Sequence, residues 1–324
     1  MAEFKQWILF SAILLALSFP AQAQDKGKAE DLRIGIASYS LAFLPVIAAE
    51  GLGFYREARL NAQLIQIRSS IAIQALVAGE LDFTTIYTSS TRAALSGLPV
   101  RHVMVLNTAI DHVLVVSPQI QRMQDLKGKI LGVGSVVSMD AVTTRMALER
   151  YGLVPDEDVK IFSLGGGSDT RLAALRSGRV AGTMLALPYN KIAAKAGFRE
   201  LVAMREITKI PTSDLSTTLR LMKTNPSLIV RTIAATLKAT RFIKENKNET
   251  LALMSRKLGI KDRELAAQVY DDYVVLGSDS GIPADSSLME DLAIVKESLG
   301  IRREVHASDV ADWSFARKAA QESK

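Results

Sequence analysis

The side chains with chemistry to offer gather just after short apolar runs. Ser38, Tyr39 and Ser40 follow the run at residues 32–37, and Phe43 opens the helical stretch beyond them. Thr88 and Ser89 hold the same station after residues 83–86. Where a strand gives way to a helix, the helix's first N–H groups face a crevice, and hydroxyls or rings beside them can hold a polar head or a flat ring. Ser and Thr serve equally as plain helix caps. Position alone therefore leaves both roles open.

Three later turns repeat the theme: Gly134-Ser135 with Ser138, Gly165-Gly166-Gly167, and Ala186-Leu187-Pro188-Tyr189-Asn190. Their glycines do not make a nucleotide site. Val137 stands where a dinucleotide fingerprint needs its third glycine, and the triple glycine lacks the Gly-Lys-Ser/Thr of a phosphate loop. These turns are read as places where backbone amides approach a ligand or the chain bends. Catalytic groupings are sparse. The only histidines, His102, His112 and His306, are far apart, there is no cysteine, and no Gly-x-Ser-x-Gly elbow occurs. The expectation is a binding protein with no catalysis, no metal and no cofactor.

The elements that must position these turns alternate strand and helix. Residues 32–37, 62–67, 83–86 and 100–106 read as strands, with helical stretches at 43–53, 71–78 and 90–96 between them. This is the pattern of a parallel sheet with crossover helices. It restarts with strands at 129–134, 159–162, 180–185 and 200–203 and a helix at 139–151. The two units share a local motif: Leu76-x-x-Gly79-x-Leu81-x-x-Thr84-x-Ile86 matches Leu175-x-x-Gly178-x-Val180-x-x-Thr183-x-Leu185. Each reads as a helix end, a glycine cap and a buried strand. Beyond Pro211 the chain turns helical, at 226–245, 250–258, 263–275 and 286–299, with Asn225-Pro226 as cap and first helical residue. The fold class is α/β with extra C-terminal helices.

Composition bounds the setting. The 324 residues carry a net charge of +6 and are 48% hydrophobic, with Lys and Arg dispersed among Asp and Glu. That is a solvated basic surface, not a nucleic-acid stripe. At the start, Lys5, an apolar run at 7–17 and Ala21-Gln22-Ala23 have the layout of a signal peptide cleaved after Ala23. The run is about half the roughly 20 residues a spanning helix needs. With no cysteine to acylate or to pair, the expected product is a free, monomeric periplasmic protein.

Leu32-Arg33-Ile34-Gly35, Pro45, Ala48-Ala49-Glu50-Gly51-Leu52-Gly53-Phe54-Tyr55, Ala75-Leu76-Val77-Ala78-Gly79-Glu80-Leu81-Asp82 and Leu126-Lys127-Gly128-Lys129 occur in that order. Together they resemble the periplasmic binding proteins for sulfonates, nitrate, taurine and thiamine-precursor pyrimidines, over most of residues 32–198. The resemblance implies a two-lobed fold with two chain crossings. Lobe one would take residues 32–115 and 213–324, lobe two residues 116–212, and the hinges residues 111–118 and 210–218. It also implies capture of a small polar or anionic solute by hinge closure, for delivery to the membrane permease of an ABC importer. Lobe one would supply Ser38, Tyr39, Ser40, Phe43, Thr88 and Ser89, and lobe two Ser135, Ser138, Gly167, Tyr189 and Asn190.

Two departures concern charge. Leu187 precedes Pro188 where many relatives carry an acid, and Gly182 stands where the repeat often ends in Asp, which leaves Asp140, Asp169 and Asp214 as acidic candidates. Arg92, Arg145 and Arg171 are candidates for an anion clamp. Two alternatives share the scaffold: a sensing input for a receptor, and a pyrimidine-precursor synthase. The synthases use a cysteine-rich stretch that this chain lacks.

Overall fold

The computed structural model describes residues 29–322 with the exception of Val137. The expected export segment and its cleavage after Ala23 lie outside the described residues. The chain first lays down β1 (Glu30–Ile36), α1 (Leu44–Gly51), α2 (Phe54–Glu57), β2 (Leu60–Gln66), α3 (Ser69–Ala78), β3 (Phe83–Thr84), α4 (Tyr87–Leu95) and β4 (Val100–Asn107). A second unit follows with β5 (Val113–Val116), β6 (Ile130–Val133), α5 (Met139–Arg150), β7 (Lys160–Ser163), α6 (Ser168–Arg176), β8 (Gly182–Leu185), α7 (Tyr189–Lys195) and β9 (Arg199–Ala203). The chain then returns as β10 (Ser213–Thr218).

The strands form two five-stranded sheets, ordered β2-β1-β3-β10-β4 and β7-β6-β8-β5-β9. In each sheet the fourth strand runs against its neighbours. That strand is supplied by the crossing chain: β5 as it enters the second sheet, β10 as it re-enters the first. The connections are residues 108–112 and 204–212. The hinges expected at 111–118 and 210–218 therefore fall largely on β5 and β10, and the expected boundary at Val115 lies inside a strand of the second sheet.

The shared sequence motif maps onto equivalent places. Thr84 pairs opposite Gly35 on β1, and Thr183 opposite Gly132 on β6. Both glycines make room for the motif's own apolar residue. A Cβ on Gly35 would meet Leu81 at 2.7 Å, and one on Gly132 would meet Val180 at 3.2 Å. Gly182, buried in β8, leaves no space for the acid that the repeat suggests: a Cβ there would lie 2.7 Å from Val116 and 3.1 Å from the Val115 carbonyl.

β10 corrects the reading of everything after Pro211 as helical. All six of its residues are buried although five are Ser, Thr or Asp. Buried polar groups persist only when hydrogen-bonded, and β10 is. Ser213 Oγ donates to the Ala42 carbonyl at 2.7 Å, Thr217 Oγ1 to the Asp82 carbonyl at 2.8 Å, and the Asp214 carboxylate lies 2.7 Å from His102 Nδ1.

Beyond β10 come α8 (Leu219–Thr224), α9 (Pro226–Glu245), α10 (Lys247–Leu258), α11 (Arg263–Val274), α12 (Asp285–Ser298) and α13 (Ser314–Glu322). α9 starts where its cap predicts, with Asn225 accepting from the Leu228 N–H at 3.1 Å and Pro226 at the first position. Its apolar stripe joins α1, α10, α11 and α13 in the core against the first sheet. A second core runs from Tyr87 and Val105 through Ile110 in the first crossing to Leu114, Leu131 and Met184. Packing thus continues from one sheet to the other through the connection itself. Among the described residues no helix is long and apolar enough to cross a membrane.

Candidate functional site

The carboxyl ends of the parallel strands in both sheets meet at one cavity of about 520 Å³. The turn after β1 brings residues 38–42, the turn after β7 brings residues 167–169, and the turn after β8 brings residues 186–189. The crossings add Asp111, His112 and Thr212, α5 adds Met139, and the end of α10 adds Leu258 with Ile260 beyond it. Ligands of open α/β sheets lie outside such strand ends, and the volume suits a small molecule. A wider depression of about 610 Å³ between α2, α9 and the end of α13 touches no strand-end turn. It draws on one sheet's elements alone, so the cavity shared by both sheets is the candidate site.

On the first sheet's side the turn is pinned at Ala42. Its carbonyl accepts from Asn107 Nδ2 at 2.9 Å and from Ser213 Oγ at 2.7 Å. Asn107 ends β4 and Ser213 opens β10, so the two crossing points grip the turn that lines the cavity. On the second sheet's side Ser168 Oγ does the tying, accepting from Arg171 Nη2 at 3.0 Å and from the Ala186 N–H at 3.3 Å. One hydroxyl thereby joins the turns after β7 and β8.

Arg171, 5% exposed, is the anchor behind them. Its Nε donates to the Met184 carbonyl at 3.0 Å, and its Nη1 lies 3.5 Å from the Asp140 carboxylate, which accepts the Gly134 N–H at 2.5 Å. Burial holds the guanidinium pKa below its ordinary value. Gly134 has to be small: a Cβ would stand 3.1 Å from the Gly166 carbonyl and 3.2 Å from Arg171 Nη1.

Burial acts on the protonation of both Asp111 and His112. Burial pushes the Asp111 carboxyl up, against the opposing pull of His112 and of the Leu187 N–H. Burial pushes the His112 imidazole down, against the pull of Asp111 and Asp140. Perturbed groups facing a cleft are a mark of functional sites.

Of the residues named from sequence, Ser38, Tyr39, Ser40, Gly167 and Tyr189 stand on the cavity wall, as does Asp169. The others do not. Phe43 is packed into the first core. Thr88 and Ser89 occupy the first turn of α4, half-buried and away from the wall. Ser138 Oγ closes its own turn, donating to the Ser135 carbonyl at 2.6 Å and accepting the Ser135 N–H at 3.1 Å. Asn190 is 1% exposed and donates to Glu200 at 3.1 Å. Asp214 is fully buried in a knot with His102 and Ser216, and His102 Nε2 in turn lies 3.0 Å from Thr91 Oγ1, which donates to Asp291 at 3.0 Å. Arg92 and Arg145 are taken up by Ser298 and Asp156.

Sequence reasoning missed Asp111, His112, Thr212 and Met139. The available signal was the apolar run at residues 113–116, which read as a strand would have set Asp111 and His112 at its mouth.

The family model described as the NMT1-like family matches residues 25–256. The chain belongs to the NMT1-like family. No curated protein matches the sequence. Among solved structures, the periplasmic aliphatic sulphonate binding protein SsuA of Escherichia coli superposes with a TM-score of 0.73 at 18% identity, over 86% of this chain and 91% of that one. The alkanesulfonate-binding protein SsuA of Xanthomonas axonopodis pv. citri, bound to MOPS, gives 0.70 at 15%, over 87% and 98%. The desulfurization enzyme DszB gives 0.65 at 14%, over 91% and 100%. This NMT1-like chain has the periplasmic-binding-protein fold that these neighbours share, α/β with two lobes and two crossings. A fold that hosts both binding proteins and an enzyme does not choose between them.

Proposed function

We propose that this protein captures a small solute between its lobes in the periplasm and hands it to the permease of an ABC importer. The observation that carries the reading is the cavity itself, walled by strand-end turns of two separate sheets that only two backbone connections join. Lobe one comprises the first sheet with the C-terminal helices and lobe two the second sheet, and they close about the connections at 108–112 and 204–212. Closure is favoured only as far as a ligand touches both lobes. Ser38, Tyr39 and Ser40 reach it from one side, and Gly167, Ser168 and Tyr189 from the other. The protein works as a monomer, without a cofactor.

The neighbours named as sulfonate-binding proteins support this reading, and DszB supplies the alternative of an enzyme on the same scaffold. Against the enzyme stand the absence of any cysteine and the dispersal of the histidines: His102 is fully buried, His112 lies in the cleft and His306 is exposed. A thermal-shift panel on chain refolded free of ligand tests the proposal. A solute at about a hundred times its dissociation constant adds roughly 2.7 kcal/mol, a rise of several degrees at this size. A rise that Tyr39→Ala and Tyr189→Ala each abolish supports the cleft. A rise that both variants keep would place the solute elsewhere.

A further inference from the structure

The cleft carries a charge that its residue types did not announce. Its wall contains two carboxylates, Asp111 and Asp169, and no Lys or Arg. The arginines considered as an anion clamp are occupied elsewhere: Arg171 by Met184, Ser168 and Asp140, Arg145 by Asp156, Arg92 by Ser298. Asp111 is half-buried, and among the described residues no Lys or Arg comes within ion-pair distance of it. His112 beside it is held toward the neutral imidazole by burial. Close by lies an unspent group, the hydroxyl of Tyr273 on α11. It is 2% exposed, it has no hydrogen-bond partner among the described residues, and it sits near enough to Asp111 for that charge to disfavour its ionisation.

A desolvated carboxylate without a counter-charge costs free energy, and a cation brought to it relieves that cost while an anion adds to it. The rest of the wall suits the carbon frame of such a ligand, with Tyr39 and Tyr189 offering ring faces to a cation and Met139, Leu258 and Ile260 offering apolar surface.

We propose that the cleft selects a small organic cation, an amine or amidine whose protonated nitrogen is held by Asp111, and that it rejects sulfonates and other anions. This deepens the solute-binding reading and rests on it. Asp111 is the specificity-determining residue. Asp169 is exposed at the rim and adds attraction through solvent.

The test uses shape-matched probes that differ in charge: benzylamine, benzyl alcohol and phenylmethanesulfonate, titrated calorimetrically into the refolded chain at pH 7.5. The amine should bind at least tenfold more tightly than the alcohol, with no heat from the sulfonate. Asp111→Asn should weaken the amine at least tenfold with no fall in the melting temperature of the empty chain. Asp169→Asn should weaken it less than threefold. Sulfonate binding equal to or tighter than amine binding, or amine affinity unchanged in Asp111→Asn, overturns the proposal, and so does silence from all three probes. Native mass spectrometry of chain purified without denaturation separates this failure from that of the solute-binding reading. An anion that co-purifies and is lost in Tyr39→Ala leaves the cleft in place as a binding site and removes only its preference for cations.

Discussion

Replacing Arg171 by Met removes a buried side chain that ties the second lobe's site turns to its sheet. The guanidinium is 5% exposed and makes 3.0 Å bonds to the Met184 carbonyl and Ser168 Oγ, with Asp140 at 3.5 Å. Asp140, 6% exposed, would keep only the Gly134 N–H. Stranding one member of a buried ion pair costs about 3–5 kcal/mol, because the remaining charge has neither solvent nor counter-charge. Met fills most of the vacated volume, which keeps a cavity contribution small. The expected loss for Arg171→Met is therefore about 3–5 kcal/mol in urea unfolding at pH 7. A double-mutant cycle isolates the cause. Adding Asp140→Asn removes the stranded charge and should restore at least about 1 kcal/mol relative to Arg171→Met alone. A single-variant loss below about 1 kcal/mol, or a double variant no more stable than Arg171→Met, would refute the anchoring role.

Asp291, bonded through Thr91 to the knot around His102, makes folding pH-dependent. Burial pushes Asp291 up to about 6 from an ordinary 3.8, so the folded chain holds this proton more tightly than the unfolded chain does. Stability from this group is greatest below the unfolded value and falls as pH rises through 6, by about 3 kcal/mol for a shift of roughly two units. Asp291→Asn should lack that decline, its advantage over the natural chain growing by roughly 2 kcal/mol between pH 4 and pH 7. A difference constant with pH would refute the assignment. Gly182→Ala forces a Cβ to 2.7 Å from Val116 and 3.1 Å from a carbonyl, and should cost about 1–3 kcal/mol in the same assay. Gly152→Ala, with nothing beyond its chain neighbours within 4 Å of its Cβ but a φ of +73°, should cost about 1 kcal/mol through backbone strain alone.

The sequence was most legible where structure is local. Each unit's strand and helix alternation, the repeated helix–glycine–strand motif and the Asn225 cap all depend on neighbours within a few residues. So do the turns after β1, β7 and β8, which follow directly from strand ends. The two antiparallel strands were illegible for opposite reasons. β5 is four apolar residues, too short for periodicity to separate strand from helix. β10 is so rich in Ser, Thr and Asp that it reads as loop, and its burial is bearable only because His102, Asn107, Ala42 and Asp82, far away in sequence, satisfy it. Missing these strands hid the charge of the site, since Asp111 and His112 enter the cleft from the connection that β5 follows. Asp214 drew attention as a free acid for the same reason. Nothing near it in sequence points to its partner 112 residues earlier.

Closure of two lobes on a solute is the central claim, and the absence of native cysteines makes it directly measurable. Arg176 on α6 and Lys261 after α10 are both exposed, one on each lobe. Spin labels on Arg176→Cys and Lys261→Cys would report the distance across the cleft by pulsed electron resonance, with and without a saturating concentration of the probe that raises the melting temperature most. A binding protein that closes about residues 108–112 and 204–212 gives a shorter, narrower distance distribution when loaded. A distribution unchanged at saturation would contradict capture by hinge closure.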